Sequence, residues 1–161
     1  MPEGALHARL SELIQDLAGT HAGVPFEPHV TLLGGLEGPE AALLERAREL
    51  AARLRPFDVE LGAAATGHEP FHCVFLEVAS GPRLREAHAL ARSAFGVGGE
   101  AAFAPHLSLL YGSLEEPQRQ AARRAAGRVD AAFQADALDV VDTAGDVVRW
   151  RRLARCPFSG T

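Results

Sequence analysis

Two stretches of this chain are nearly the same ten residues. The first is Phe26-Glu27-Pro28-His29-Val30-Thr31-Leu32-Leu33-Gly34-Gly35 and the second is Phe103-Ala104-Pro105-His106-Leu107-Ser108-Leu109-Leu110-Tyr111-Gly112. Each copy centres on a histidine followed two residues later by a hydroxyl residue. In extended backbone, residues i and i+2 point to the same face, so each copy aims an imidazole and a hydroxyl into the same space. Two imidazoles facing one cleft make an acid and a base, a pairing suited to breaking a phosphate ester. Thr31 and Ser108 can donate to non-bridging phosphate oxygens while staying neutral. Tyr111 is either a packed aromatic or a substrate contact through its ring or hydroxyl.

A competing chemistry is spelled out at His68-Glu69-Pro70-Phe71-His72, the letters of a zinc-protease motif. That motif works on a helix, where residues i and i+4 share a face. Pro70 sits inside the stretch and breaks such a helix, and no third ligand is evident. No metal and no cofactor are therefore expected. Phe71 and His72 precede a strand and are within reach of the cleft.

The elements that must hold these groups follow from periodicity. Leu6, Leu10, Leu13, Ile14 and Leu17 mark an amphipathic helix ending near Gly19. Phe26 to Gly34 reads as a buried strand, and Pro39 opens a second helix carrying Leu43, Leu44, Ala47, Leu50 and Leu54. Phe57 to Ala65 and Cys73 to Val78 read as strands with a turn between them. A third helix starts at Pro82, after which Gly96 to Gly99 is a loop. The second motif copy forms a strand, and a fourth helix runs from Glu115 to about Gly127. Phe133 to Val141 and Val147 to Ala154 close the chain as strands, with Asp142 to Asp146 as their hairpin. The order helix–strand–helix–strand–strand thus occurs twice, which predicts an α+β fold of two similar lobes within one domain, residues 1–161.

Composition narrows the function classes. With 47% apolar and 23% charged residues in 161, the chain has the make-up of one globular domain with a real core. A net charge of −5 argues against gripping long nucleic acid. Arg149, Arg151, Arg152 and Arg155 read as a solvated strand end. Two cysteines, Cys73 and Cys156, are too few for a disulfide scaffold. No apolar stretch approaches the ~20 residues of a membrane span, and the amino terminus lacks a signal sequence, so a cytoplasmic location is expected.

The paired His-x-Thr/Ser motifs resemble those of the 2H phosphoesterase superfamily. Within it, Pro105 to Gly112 is very similar to the second motif of the plant and yeast cyclic phosphodiesterases, and Phe26 to Thr31 resembles their first. Thr66-Gly67 followed by Phe71 to Leu76 resembles their segment between the motifs, and Leu138 to Cys156 their closing strand pair. The resemblance covers nearly the whole chain from the first helix onward. It implies a bilobal α+β fold with two antiparallel sheets flanking a central cleft and helices outside. It implies metal-independent opening of nucleoside 2′,3′-cyclic phosphates or ADP-ribose 1″,2″-cyclic phosphate to monoesters. By the same resemblance His106 activates water and His29 protonates the leaving oxygen. Thr31 and Ser108 bind phosphate oxygens, and Tyr111 matches a substrate-contacting position, with Phe71 a further candidate for substrate binding. The alternatives are an RNA-end 2′,3′-cyclic phosphodiesterase of the 2′-5′ RNA ligase type, or a non-catalytic nucleotide-phosphate binder. The partner is accordingly a small cyclic nucleotide or an RNA 3′ end, with no membrane. The family opens with an apolar strand ending in Pro before the first helix, whereas this sequence starts at Met1-Pro2-Glu3. An unusual sheet edge, a homodimer or a strand exchange is expected to fill that position.

Overall fold

The computed structural model describes residues 1–98 and 102–160. The fold is α+β, with four α-helices, a four-stranded sheet and a separate two-stranded sheet among the described residues. The helices are α1 (Gly4–Thr20), α2 (Glu40–Ala51), α3 (Pro82–Phe95) and α4 (Glu116–Ala126). The strands are β1 (Phe57–Thr66), β2 (Val74–Val78), β3 (His106–Leu110), β4 (Arg128–Ala135), β5 (Ala137–Asp142) and β6 (Arg151–Pro157). The larger sheet has the order β3-β2-β1-β4, and the smaller pairs β5 with β6 in antiparallel fashion.

Two compact units emerge, and they do not follow the two halves of the sequence. One comprises Met1–Val30, Glu60–Ala79 and Pro105–Phe133, the other Thr31–Val59, Ser80–Ala104 and Gln134–Thr161. In the first unit, α1 packs on β3, and α4 packs on β2 and α1. Leu10 and Ile14 on α1 are fully buried, as are Leu107 and Leu109 on β3 and Val74 and Leu76 on β2. Each such side chain contributes about 1.5–3 kcal/mol by leaving water. This packing fixes the strand that carries the second motif. Glu115 and Gln118 form a capping box at the start of α4, which satisfies backbone donors the helix cannot use.

In the second unit α2, α3 and the β5–β6 pair share a core of Leu50, Leu54, Ala87 and Ala91, with Phe57, Phe95, Leu138 and Phe158 against it. The strand-end arginines Arg151 and Arg152 are solvent-exposed and ion-paired. Asp139 takes both Arg152 (3.2 Å) and Arg155 (3.4 Å), Asp136 takes Arg155 (3.0 Å) and Asp142 takes Arg151 (3.3 Å) across this strand pair.

Three expectations about elements need correction. The segment 26–34 is not a strand: it makes a single bridge, Val30 to Leu107. Pro25 and Pro28 supply no N–H to a ladder, and the chain bends at Leu32 and Leu33. The run from Phe133 to Val141 is not one strand either. It breaks at Asp136, whose carbonyl accepts the Phe158 N–H at 2.7 Å, so β4 joins the larger sheet and β5 the smaller. Finally, Val147–Arg149 is a short 3-10 turn and β6 begins only at Arg151. Of the expected loop Gly96 to Gly99, Gly99 lies outside the described residues.

Candidate active site

The second motif is held by sheet register. β3 runs antiparallel to β2, with Phe75 opposite Ser108 and Glu77 opposite His106. Alternation along the strands then puts His106, Ser108, Phe75 and Glu77 on one face, while Leu107 and Leu109 enter the core. The first motif reaches this strand through the Val30–Leu107 bridge, which is antiparallel. The residues next to each histidine are therefore paired, and His29 and His106 belong to the same compact unit.

His29 is oriented by its own backbone. Its Nδ1–H donates to the Glu27 carbonyl at 2.6 Å, which leaves Nε2 as the working atom. The Tyr111 hydroxyl stands 3.5 Å from that Nε2. Burial holds the His29 pKa below the ordinary 6.5, and the charges of the chain's amino terminus and of His106 push the same way against the Glu27 carbonyl bond. His29 is thus neutral at pH 7 without substrate, with Nε2 able to accept a proton.

Tyr111 is fixed by aromatic packing. Its ring stacks on Phe26 at 3.9 Å and 14°, and Phe71 meets it edge-on at 5.3 Å. Burial raises the phenol pKa, so the hydroxyl keeps its proton and serves as a neutral donor. Phe71 itself is 59% exposed, a large apolar ring left facing solvent beside Tyr111. The Ser108 side chain is buried, and its hydroxyl donates to the Phe71 carbonyl at 3.2 Å. Donation to a phosphate oxygen requires that hydroxyl to rotate away.

Thr31 is exposed and is the first residue of the other compact unit. The zinc-protease letters fold as a bend leading into a 3-10 turn, Pro70–His72, rather than an α-helix. Among the described residues, no group of three or more His, Cys, Asp or Glu side chains could hold a metal ion.

Residue order puts Phe71 and His72 within reach of the cleft but gives no role to Phe75 or Phe26. The His72 ring stacks on Phe75 at 3.8 Å and 18° and lies 4.2 Å from the His106 ring at 47°. Phe75 also meets His106 edge-on at 5.3 Å. The available signal is alternation: Phe75 and Glu77 fall on the strand face opposite the second motif, but only the pairing register says so.

The chain belongs to the 2′-5′ RNA ligase superfamily, whose pattern it matches over residues 2–147. It is 28% identical over 159 residues to a cyclic phosphodiesterase of Arabidopsis thaliana, across 97% of this chain and 81% of that protein. Among solved structures it is similar to TT0787 of Thermus thermophilus, with a TM-score of 0.67 and 20% identity, covering 96% of this chain and 92% of that one. It is also similar to E. coli LigT complexed with 3′-AMP, with a TM-score of 0.64 and 19% identity over 94% and 92% of the two chains. These two likenesses support the α+β fold. No helix among the described residues is long and apolar enough to cross a membrane.

Proposed function

We propose that this protein is a cyclic phosphodiesterase that hydrolyses small cyclic phosphodiesters to phosphomonoesters, without a metal, through His29 and His106. Nucleoside 2′,3′-cyclic phosphates and ADP-ribose 1″,2″-cyclic phosphate are the substrate class. The observation that carries this reading is the single bridge between Val30 and Leu107, the residues that follow His29 and His106. The cyclic phosphodiesterase relative, aligned over 97% of this chain, supports the same chemistry.

In the proposed reaction a water attacks phosphorus and His106 takes its proton. The P–O bond to one ribose oxygen breaks, and His29 delivers a proton from Nε2 to that oxygen. The two imidazoles then exchange the proton through solvent. Acid–base assistance of this kind contributes about 10²–10⁴-fold. His29 must be charged to act as the acid, and burial opposes that. The single negative charge of a bound phosphodiester favours the protonated form and restores the acid. Ser108 and the Tyr111 hydroxyl donate to the non-bridging oxygens, and Phe71 packs against the nucleobase.

The test is incubation with 2′,3′-cyclic AMP and with ADP-ribose 1″,2″-cyclic phosphate in excess chelator, followed by phosphorus NMR. Conversion to a monoester is expected. An RNA oligonucleotide ending in a 2′,3′-cyclic phosphate is the comparison substrate. The net charge of −5 favours the mononucleotide. Tight binding of either nucleotide without turnover would instead establish a binding protein.

A further inference from the structure

A third imidazole is built in beside the second motif. The His72 ring packs against both the Phe75 ring (3.8 Å, 18°) and the His106 ring (4.2 Å, 47°). Its Nε2 is buried and has no hydrogen-bond partner among the described residues. A buried polar atom left unpaired costs free energy unless the site uses it. The backbone is shaped to allow this placement. A Cβ at Gly67 would collide with the His72 carbonyl oxygen and lie 2.9 Å from its Nδ1, so only glycine lets the ring settle onto Phe75. The Gly67 N–H donates to the Cys73 carbonyl at 3.1 Å and closes the turn.

We propose that His72 is a positioning residue for His106: its ring fixes the tilt of the catalytic imidazole, and its closeness makes charging both rings together less favourable. Two like charges on rings 4.2 Å apart repel even with full solvent screening. Burial, and then the charge on His106, hold the His72 pKa below the ordinary 6.5. Among the described residues, the other charged or titratable groups around the pair include His29, whose pKa the His106 charge also lowers. Glu69, on the same turn as His72, pulls its pKa up in part. Glu77 lies opposite His106 on β2, and the Tyr111 phenol, whose ring meets Phe71, is neutral. Cys73, next in the chain, has its thiol pKa raised by burial.

The experiment combines histidine NMR titration with rate profiles. In the intact protein the His72 ring should titrate below 6.5. In His106→Phe its midpoint should move up by about 0.7 pH unit, the size of two charges ~4 Å apart in a water-like medium. In His72→Phe, which keeps a ring against Phe75, the pH–rate profile should move and kcat should fall several-fold with KM nearly unchanged. His72→Gln serves the same purpose if the Phe variant does not fold. A His72 midpoint unmoved by His106→Phe, or a His72→Phe rate profile superimposable on the parent's, would overturn the proposal. The rate arm rests on the phosphodiesterase reading, whereas the NMR arm does not, so failure of one is distinguishable from failure of the other.

Discussion

The Tyr111 hydroxyl stands 3.5 Å from Nε2 of His29, linking the last part of the second motif to the histidine of the first. The bond is long, so it restrains the ring only weakly. Tyr111→Phe keeps the stack on Phe26 and removes only the hydroxyl. It should lower kcat/KM by about 2–10-fold, the worth of one ordinary hydrogen bond, with the thermal midpoint nearly unchanged. Tyr111→Ala also removes the stack and should destabilise the fold by about 3 kcal/mol. Denaturant unfolding of the two variants separates the contributions.

Phe71 is the position where specificity and stability part company. Its ring is 59% exposed, so Phe71→Ala should cost under ~1 kcal/mol in folding. It should raise KM for 2′,3′-cyclic AMP several-fold while leaving a base-free cyclic phosphodiester unaffected. An equal loss with both substrates would remove Phe71 from base recognition.

Gly67→Ala should be destabilising by about 1–3 kcal/mol, because the new Cβ runs into the His72 backbone and the turn must shift. Activity should fall with it, since the same turn seats His72. Chemical denaturation together with the rate at saturating substrate checks both.

The histidines make folding stability depend on pH in a defined direction. His29 and His72 both have folded-state pKa values lowered from 6.5, mainly by burial. The unfolded chain then binds more protons than the folded one in the window just below 6.5, and stability rises with pH there. The contribution is fully present above 6.5 and is lost as pH falls toward the folded values. The thermal midpoint should therefore drop as pH falls from about 7 to about 5, and less so in His72→Phe.

The role of His29 has its own pH signature. As the acid it must enter protonated, and its protonated fraction falls as pH rises through its lowered pKa. The kcat/KM profile, which reports the free enzyme, should therefore decline with rising pH from below 6.5. A profile that instead climbs through that value and levels off would make His29 the base and His106 the acid.

Much of this site can be read from residue order, and the reasons for the rest are physical. His29, His106, Ser108 and Tyr111 declare themselves because one phrase occurs twice and because i and i+2 share a face. The helices are legible from spacing: the expected stripe of α1 contains Leu10, Ile14 and Leu17, which are buried. The first motif reads as a strand because its apolar run resembles one, while the missing donors at Pro25 and Pro28 decide the pairing. The break at Asp136 is hidden because both sides of it are apolar and suited to strand; only the Phe158 and Arg155 partners, far along the chain, reveal it. His72 reads as near the cleft, but its packing against Phe75 and His106 does not. That contact comes from the β2–β3 register, a long-range pairing that neighbouring residues do not encode.

The central claim is that His29 and His106 act as one acid–base pair on a cyclic phosphodiester. The most direct measurement is the turnover of 2′,3′-cyclic AMP in chelator by the parent protein, His29→Ala, His106→Ala and the double variant. The parent should yield the monoester, each single variant should lose about 10²–10⁴-fold in kcat, and the double variant should be little worse than either, as for groups acting together. No turnover by the parent, or a parent-like kcat in either single variant, would contradict the account.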